Sequence, residues 1–420
     1  METSIAGSLD DLLEGHGELI QRFALPPRLD QGREPGGQFC WHWNVGRCGF
    51  GDECHRALWH YPTITLKTTV QPVTYHLLKR LLELNGCVMC DSVLKANLIW
   101  TNHFASTPTN IYPPHSVINH FPGTHLITQK NNLAWNMMKA AGASFVPRSF
   151  VLPTQMDEAI TAQDSTYDQL WIVKPVGLGE GRGVKITKQI DREDYKELTQ
   201  EYISRPLTVT GKKTDLRLYI LLTSVYPTLD IYIYTDGLLR FAYADYDEKD
   251  INNPFVHLCN NAVNRAADRD INESNWTLNQ FREWISNETE LDFEDIWRQL
   301  CTLAVGPIVQ IKHQLVEDYR RCAMEKKLHC FELFGYDVLV DENGKCWLLE
   351  LNGLPDLSGG SKKARKSYAA DFDVKTRLLS DAFSMVYYLR DERASRDIPK
   401  EIMGGFQRIY HEQTLTESIT

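Results

Sequence analysis

The chain has 420 residues, of which 43% are hydrophobic, 24% charged and 10% aromatic, and its 45 basic and 55 acidic side chains give a formal net charge of −10. This composition excludes a disordered, collagen-like or membrane-spanning chain, and the length suffices for two or three domains with buried cores. The acidic balance disfavours broad binding to nucleic acid or to an anionic membrane. The first 20 residues show no secretory signal, so we expect a cytoplasmic protein with free or metal-bound cysteines.

Residues 1–62 form two segments of different composition. Residues 1–38 are polar and become rich in glycine and proline, so we predict a tail or linker there. Residues 39–62 carry Cys40, Cys48, Cys54 and His60, which could hold zinc in a tetrahedron. This spacing resembles a three-cysteine, one-histidine zinc finger of the type often found in RNA-binding proteins, which makes Zn²⁺ and RNA candidate ligands. The alternative is a degenerate finger with three structural thiols, and metal analysis of the purified protein separates the two.

From residue 66 onward, short β-rich runs alternate with helical stretches. A helix is predicted around Leu133 and Met137 with its end at Gly142, followed by an extended segment at 148–152 and a helix that begins near Thr154. Strands are predicted at 170–174 and 216–225. The dipeptide Asp236-Gly237 predicts a hairpin that joins 229–234 to 238–244.

The second half of the chain contains a long helical region at 293–322, in which Gly306-Pro307 predicts a kink or break. Strands at 331–340 and 346–351 flank a turn, and a last helix runs from 372 to 389. Residues 391–420 are predicted to be a polar tail. This order of elements predicts an α+β enzyme with a mixed or antiparallel sheet.

A glycine-rich loop follows the predicted strand that ends at Lys174. Its glycines stand at positions 177, 179, 181 and 183 around Arg182, and a strand at 184–187 comes next. Glycines let backbone amides approach phosphate oxygens, and Lys174 and Arg182 add positive charge. The loop is neither a P-loop nor a dinucleotide fingerprint, because no Gly-Lys-Ser/Thr follows and no helix opens directly after it.

Charged side chains stand at alternate positions at the start of the predicted strand 216–225. Lys213, Asp215 and Arg217 are spaced by two, so on a strand all three point to one face. Buried charges are costly unless they are paired or engaged with a ligand. The stripe therefore indicates a binding site.

A further cluster lies on the two late strands. Asp337 stands on the first of them, and Glu350 and Asn352 stand two residues apart on the second. Three oxygen donors on adjacent strands suit Mg²⁺, which is commonly shared with nucleotide phosphates. The alternative for this cluster is a set of hydrogen-bonded polar residues within the sheet.

Eight short segments, in one order between about residues 75 and 390, resemble the tubulin–tyrosine ligase-like family. The resemblance implies an ATP-grasp fold, in which two α+β lobes close on ATP after a small amino-terminal domain. The implied parts are an amino-terminal part at 63–145, a central lobe at 146–205 and a carboxy-terminal lobe at 206–390. The segments are Asn119-His120-Phe121-Pro122-Gly123, Trp171-Ile172-Val173-Lys174-Pro175, the glycine loop with Arg182, Lys213-x-Asp215-x-Arg217, Asp236-Gly237-x-x-Arg240, His257-Leu258-x-Asn260, Phe334-Gly335-x-Asp337 and Glu350-x-Asn352-Gly353-x-Pro355.

The resemblance also implies roles for individual residues. In the implied ATP site, lysines contact the phosphates, the glycine loop covers them, a hinge segment follows the adenine and an aspartate lies at the ribose. Lys174 and Lys213 would contact the phosphates, and Arg182 and Gly183 would lie on the loop that covers them. Gln200, Tyr202 and Ile203 would follow the adenine, and Asp215 would lie at the ribose.

Catalysis and metal binding are implied for the remaining charged positions. Arg217 and Arg240 would be the catalytic residues that face the γ-phosphate and the acyl-phosphate. The Mg²⁺ ligands would be Asp337, Glu350 and Asn352, and His257 and Asn260 would be further site residues.

The implied activity is an ATP-dependent ligation that passes through an acyl-phosphate. Members of the family attach tyrosine to a tubulin C-terminus, or glutamate or glycine to glutamate side chains of tubulin tails. The segment 273–278 and Asp373-Val374-Lys375 favour a glutamylase that uses free glutamate. Gly353, which follows Asn352, is also found in tyrosine ligase, so tyrosine ligase and glycylase remain alternatives.

The expected partners are tubulin and microtubules, whose acidic tails would be drawn to a basic groove formed by the basic residues at 362–366 and by Lys375. We therefore expect a cytoskeleton-associated protein of the cytoplasm, with the cilium or flagellum as a more specific location. The alternative of a different class is an inactive ligase domain that serves as an RNA- or protein-binding adaptor. A decayed ATP site loses its charged residues, whereas the implied ones are all present here, which favours an enzyme.

Overall fold

A computed structural model describes residues 112–140, 143–166, 168–179, 181–192, 197–266, 275–357, 369–390 and 397–413, together with short stretches between residues 63 and 104. The predicted tail at 1–38, the zinc-finger segment with its four proposed ligands, and the basic residues at 362–366 lie outside the described residues. The described strands are β1 (Thr63–Leu66), β2 (Val88–Met89), β3 (Leu98–Trp100), β4 (Val117–Ile118), β5 (Ser149–Val151), β6 (Trp171–Pro175), β7 (Lys185–Thr187), β8 (Glu197–Glu201), β9 (Thr208–Val209), β10 (Lys212–Ser224), β11 (Thr228–Tyr234), β12 (Leu238–Phe241), β13 (Asn275–Thr277), β14 (His329–Cys330), β15 (Glu332–Val340), β16 (Cys346–Asn352) and β17 (Phe406–Gln413).

The described helices alternate with these strands along the chain. They are α1 (His125–Thr128), α2 (Lys130–Met138), α3 (Met156–Ser165), α4 (Pro254–His257), α5 (Asn261–Ala266), α6 (Leu278–Glu288), α7 (Phe293–Gln310), α8 (Lys312–Tyr319), α9 (Ala369–Leu389) and α10 (Lys400–Met403), and a π-helical turn at Arg320–Met324 continues α8. None of these helices has the length and apolar character needed to cross a membrane.

The described strands form three sheets. A five-stranded sheet has the order β14-β4-β3-β1-β2, with parallel neighbours. A four-stranded antiparallel sheet has the order β5-β8-β6-β7. An eight-stranded antiparallel sheet is built around β10, which pairs with β9, β11, β12 and β15. This mixture of helices and sheets confirms the predicted α+β class.

The long strand β10 separates two hydrophobic cores. Its even-numbered residues, among them Leu218 and Ile220, pack with α6 and α7 in one core. Its odd-numbered residues Tyr219 and Leu221 pack with α9 in the other. Because side chains alternate between the faces of a strand, the charged residues Lys213, Asp215 and Arg217 continue the α9 face toward the start of β10.

The predicted hairpin across Asp236-Gly237 is wrong. Residues 220–224 of β10 pair with β11 and residues 214–217 pair with β12, while β15 occupies the opposite edge. The two strands therefore run one after the other along a single edge of β10. The Asp236 carboxylate accepts hydrogen bonds from the backbone of Gly237 and Leu278, and a Cβ at Gly237 would lie 2.7 Å from the carbonyl oxygen of Arg217. The dipeptide thus allows its backbone to lie close to that of β10, and it bonds to the start of α6. Local turn propensity reveals neither role.

The predicted break at Gly306-Pro307 is displaced. Pro307 lies inside α7, which continues to Gln310, and the chain changes direction at Ile311 before α8 begins. A proline removes one backbone N–H and crowds the preceding turn. Buried Leu303, Ala304 and Ile308 around it keep the helix intact.

The prediction of a polar tail at 391–420 is also wrong, because residues 406–413 form strand β17 at the edge of the large sheet. The strand pairs antiparallel with β11 over its whole length. Phe406 is buried against the Tyr234 ring, and His411 Nδ1 lies 2.5 Å from the buried carboxylate of Asp230. The stabilising groups belong to β11, so the polar composition of this segment gives no local signal for a strand. The predicted lobe boundaries at 145, 205 and 390 remain predictions.

A buried carboxylate joins the early part of the chain to the large sheet. Glu332, at the start of β15, accepts hydrogen bonds from the Phe121 backbone at 3.0 Å and the Thr124 hydroxyl at 3.1 Å. Its Oε1 also lies 2.9 Å from His120 Nδ1, while His120 Nε2 donates to the Thr101 carbonyl at 2.8 Å. The side chains of His120 and Glu332 are 4% and 1% exposed, so these bonds form out of contact with water.

We expect Glu332→Ala to lower the free energy of unfolding by about 3 kcal/mol, because it leaves several buried donors without an acceptor. Denaturant unfolding at neutral pH measures the change. Glu342→Ala is the matched control, since Glu342 pairs with Arg205 on the exposed surface and such pairs contribute less than about 1 kcal/mol. Equal effects of the two substitutions would contradict the structural role of Glu332.

Candidate active site

A cleft with about 660 Å³ of open space lies between the four-stranded and the eight-stranded sheet. We call it the first cleft. The small sheet contributes β6, and the large sheet contributes β10, β15 and β16. The lining residues are Lys130, Ile172, Lys174, Gly181, Val184, Lys213, Asp215, His257, Leu258, Cys259, Asn260, Asp337, Leu339, Leu349 and Glu350.

Two lysines reach the first cleft from opposite sheets. Lys174, near the end of β6, donates to Gln200 Oε1 at 2.7 Å, and Lys213 on β10 donates to the Tyr202 hydroxyl at 2.8 Å. Both ammonium groups are buried and bonded to neutral oxygens. Burial lowers the pKa of each lysine to about 8, against the opposing effect of nearby acidic groups. The two groups are therefore poised to gain from a bound anion.

Tyr202 links Lys213 to His257, which also lines the first cleft. The Tyr202 hydroxyl lies 2.8 Å from His257 Nδ1, and His257 Nε2 lies 3.0 Å from the carbonyl oxygen of Asp250. Burial raises the pKa of Tyr202 far above its usual value and lowers the pKa of His257. This chain fixes the position of Lys213 through neutral groups.

Four buried charges of alternating sign cross three neighbouring strands at the floor of the site. We call Asp215, Arg240, Asp337 and Arg217 the charge quartet. Arg240 Nε donates to Asp215 at 2.5 Å, and its Nη2 lies 3.0 Å from Asp337 Oδ2. Arg217 then holds Asp337 with two bonds of 2.6 and 3.0 Å.

The quartet follows from strand register. Asp215 stands opposite Arg240 in the β10–β12 ladder, and Arg217 stands opposite Asp337 in the β10–β15 ladder. Gly335 allows Arg217 to lie flat on β15, because a Cβ there would approach the Arg217 side chain to 3.2 Å and Pro355 to 2.9 Å. Burial alone would raise the pKa of Asp337, but the two guanidinium groups hold it well below its usual value. Burial raises the pKa of Asp215 despite its bond to Arg240.

The candidate metal ligands lie where β15 and β16 meet. Asp337 stands opposite Glu350 in the ladder, and Glu350 Oε1 accepts from the side chain of Asn352 at 3.3 Å. A carboxylate offers about four lone-pair positions, and Arg217 donates to two of them on Asp337. The remaining positions on Asp337, the carboxylate of Glu350 and the amide oxygen of Asn352 are oxygen donors of the type that Mg²⁺ takes. Among the described residues, no group of three or more His, Cys, Asp and Glu side chains is arranged to hold a metal ion.

Lys130 connects the glycine loop to this corner of the site. Its ammonium group, at the start of α2, donates to the Leu178 carbonyl at 2.8 Å and lies 3.6 Å from Glu350 Oε2. The loop thereby contacts the large sheet through a residue that lies far from both in sequence.

A second cleft, with about 840 Å³ of open space, adjoins the first and shares Asn260 and Glu350 with it. Its wall carries charges of both signs. The lining residues are Gly179, Arg217, Tyr219, Leu238, Arg240, Asn260, Asn261, Ala262, Glu350, Asn352, Leu354, Pro355, Asp356, Asp371 and Lys375. The charge quartet thus forms part of the boundary between two connected spaces, which is the arrangement needed to bring two bound molecules together.

The structure brings most of the predicted site residues into these two clefts and leaves others outside. Those that line a cleft are Lys174, Lys213, Asp215, Arg217, Arg240, His257, Asn260, Asp337, Glu350 and Asn352. Gln200 and Tyr202 are buried behind the two lysines, where they hold the ammonium groups. Arg182 and Gly183 are exposed on the glycine loop, and Ile203 lies outside the lining. The roles of all these residues at a ligand stay predictions.

Sequence reasoning assigned no role to seven lining residues of the first cleft. Five are apolar: Ile172 and Val184 lie on or beside the small sheet, Leu339 and Leu349 lie on the large one, and Leu258 follows His257. Leu339 stands two residues after Asp337 and shares its strand face, so the period of two could have found it. The other two are Cys259 and Lys130. Lys130 gives no local signal, because only the tertiary fold brings the start of α2 to the glycine loop.

Comparison with known proteins gives a family match and several relatives. The model of the "Tubulin-tyrosine ligase family" matches residues 109–395. The chain is 28% identical over 352 residues to tubulin monoglutamylase TTLL4 of Mus musculus, which covers 79% of this chain and 28% of that protein. It is 32% identical over 320 residues to probable tubulin polyglutamylase TTLL2 of Homo sapiens, with 70% of this chain and 51% of that protein covered.

A nematode relative gives a similar result. Tubulin polyglutamylase ttll-4 of Caenorhabditis elegans is 32% identical over 302 residues, which covers 68% of this chain and 48% of that protein. The chain therefore spans between about a quarter and a half of the length of the curated relatives it matches.

We expect Lys213 to make stability depend on pH. Its pKa is about 8 in the folded protein against 10.5 for an ordinary lysine, so above about pH 8 the unfolded state binds more protons and stability rises with pH. From about pH 7.5 to about pH 10, the unfolding free energy of the wild type should rise by about 2 kcal/mol relative to Lys213→Met. Denaturant unfolding at several pH values measures this difference. Lys188→Met, at an exposed lysine, should show no such change, and a flat difference for Lys213→Met would contradict the assignment.

Proposed function

The chain belongs to the tubulin-tyrosine ligase family, and from this premise we propose that it is an ATP-dependent ligase that joins free glutamate to a glutamate side chain of a tubulin tail. The observation that carries the proposal is the convergence of lysines, arginines and oxygen donors on two connected clefts. Relatives named as tubulin mono- and polyglutamylases support glutamate and tubulin as the substrates. Tyrosine and glycine are outcomes of the test below.

ATP would bind in the first cleft as in an ATP-grasp fold, with the small and the large sheet as the closing lobes. Lys174 and Lys213 would neutralise the phosphates, and the lowered pKa of each lysine would rise toward its usual value when they do. The adenine would lie between the apolar side chains of the two sheets, near Gln200, Tyr202 and Ile203. Asp215 would lie at the ribose, and the glycine loop with Arg182 and Gly183 would cover the phosphates.

Mg²⁺ would be held by Asp337, Glu350 and Asn352, and it would neutralise negative charge on the phosphates of ATP. Arginine side chains of the protein would add to this electrostatic stabilisation. Arg217 and Arg240 keep their guanidinium groups at the boundary of the clefts because the quartet fixes them from behind. Such preorganised charges lower a barrier without the cost of reorganisation during the reaction.

The reaction would take place at that boundary. A side-chain carboxylate oxygen of the tubulin tail attacks the γ-phosphorus of ATP, the bond to the β,γ-bridging oxygen breaks, and ADP leaves. The amine of free glutamate, having given one proton to solvent, attacks the acyl carbon, and phosphate leaves with the electrons of the broken C–O bond. The nitrogen then gives a second proton to the departing phosphate, which leaves a neutral amide. Arg217 and Arg240 would stabilise the negative charge that moves through both steps.

The activity would take place on microtubules, where acidic tubulin tails are presented to the second cleft. The cilium and the flagellum are the more specific locations that we propose. An inactive adaptor is the contrasting function, and it requires that ATP does not support ligation.

The test is incubation of the purified chain with MgATP and tubulin, in parallel with labelled glutamate, glycine or tyrosine. We expect label from glutamate on tubulin and none without ATP. Label from glycine or tyrosine alone would replace glutamylase by one of the other two ligases. Binding of ATP without any ligation would favour the adaptor.

Glu350→Gln should reduce ligation by on the order of a hundredfold or more, because it keeps the shape of the side chain but removes a charged metal ligand. The initial rate of label transfer measures the effect, and thermal unfolding shows whether the fold is kept. Glu342→Gln, at an exposed turn, is the control and should leave the rate unchanged. Normal turnover by Glu350→Gln would overturn the assignment of Glu350 as a metal ligand.

A further inference from the structure

The second cleft contains a buried hydroxyl group that has no partner. Tyr219 is fully buried, and among the described residues its hydroxyl makes no hydrogen bond. A buried polar group without a partner costs free energy, and in a binding site it is commonly satisfied by the ligand. Tyr219 lies two residues after Arg217 on β10, so its side chain shares the strand face that carries the charged stripe.

A buried cation from helix α9 lies at the same end of the second cleft. Lys375 donates to Asp371 Oδ2 at 3.1 Å, and the other oxygen of Asp371 accepts from Asn275 at 2.7 Å. The Lys375 side chain is only 4% exposed. Burial alone would lower the pKa of Lys375, but Asp371, Tyr219 and Asp356 raise it above its usual value, so the group stays cationic. Tyr219, Asp371 and Lys375 all line the second cleft.

The charges of this cleft suit a zwitterion better than a polyanion. Lys375, with the Tyr219 hydroxyl, offers donors to a carboxylate. Asp356 and Glu350 line the same space and would attract an ammonium group. A tubulin tail with many carboxylates would be repelled by these acidic side chains if it entered as deeply. A free amino acid carries both charges on one small molecule.

We propose that the end of the second cleft formed by Tyr219, Asp371 and Lys375 holds the free amino acid, with one of its carboxylates accepting hydrogen bonds from the Tyr219 hydroxyl and the Lys375 ammonium group. This inference rests on the proposed ligase function. The amine of an amino acid held there would lie in the space that Glu350 also lines, beside the boundary where the acyl-phosphate would form. Asp371 is a positioning residue that holds Lys375 in place.

Tyr219→Phe is the sharpest test, because it removes the unpartnered hydroxyl and leaves the ring in the core. A hydrogen bond to a charged group is worth about one to two factors of ten in affinity, so the KM for glutamate should rise roughly ten- to a hundredfold. The KM for ATP and the KM for tubulin should stay within about twofold, since neither contact involves this hydroxyl. Tyr336→Phe is the matched control: its hydroxyl donates to the Ala304 carbonyl within the other core, so it should leave all three constants unchanged.

Three amino acids identify which carboxylate is bound. If the site takes the side-chain carboxylate, Tyr219→Phe weakens glutamate selectively and leaves glutamine and glycine as weak as they are for the wild type. If it takes the α-carboxylate, the KM for all three rises by the same factor. Both results support the site. An unchanged KM for glutamate, or a rise confined to the KM for tubulin, would overturn it.

Equilibrium binding separates this inference from the proposed function. Labelled glutamate is titrated into the full chain in the presence of MgATP analogue that cannot transfer its phosphoryl group. Weaker binding by Tyr219→Phe and by Lys375→Met, with partial recovery in Lys375→Arg, supports the site even if no ligation is ever observed. Equal binding by wild type and Tyr219→Phe in an active ligase would overturn the site while the ligase function stands.

Discussion

The charge quartet is the constraint on which the rest of the site depends. Two guanidinium groups and two carboxylates are buried side by side, and each charge is paired with at least one charge of opposite sign. Removing one member would leave an uncompensated charge in a medium where such charges are costly. Since the four residues come from β10, β12 and β15, the geometry of the site depends directly on the register of these strands. A slip of one residue would turn the stripe away from the clefts.

The arginines and the lysines of the site differ in the groups to which they are bonded. Arg217 and Arg240 are bonded to carboxylates, so their guanidinium groups hold fixed positions at the boundary of the two clefts. Lys174 and Lys213 are bonded to neutral oxygens, and their lowered pKa records the cost of keeping a positive charge there. A triphosphate would remove that cost. Relief of the unfavourable burial of these two lysines would therefore contribute to the free energy of triphosphate binding.

Sequence reasoning recovers those parts of the fold that local patterns encode. Alternation by two places Lys213 and Arg217 on one strand face, and the same rule carries over to Leu339 beside Asp337. It fails where partners are distant in sequence. The Asp236-Gly237 pair has the composition of a hairpin turn, but its role depends on the carbonyl of Arg217 and on helix α6. Lys130 joins the site only through tertiary packing, for which no periodicity exists.

The edge strand β17 belongs to the folding unit although it lies beyond the residues matched by the family model. The family match ends at residue 395, whereas β17 at Phe406–Gln413 covers the outer edge of β11. A protein shortened to the matched span would present the bare backbone donors and acceptors of β11 to solvent, and such edges recruit strands from other molecules. Solubility of this domain therefore depends on a segment that the family signature does not include, and any fusion partner at that end must leave the strand free to dock.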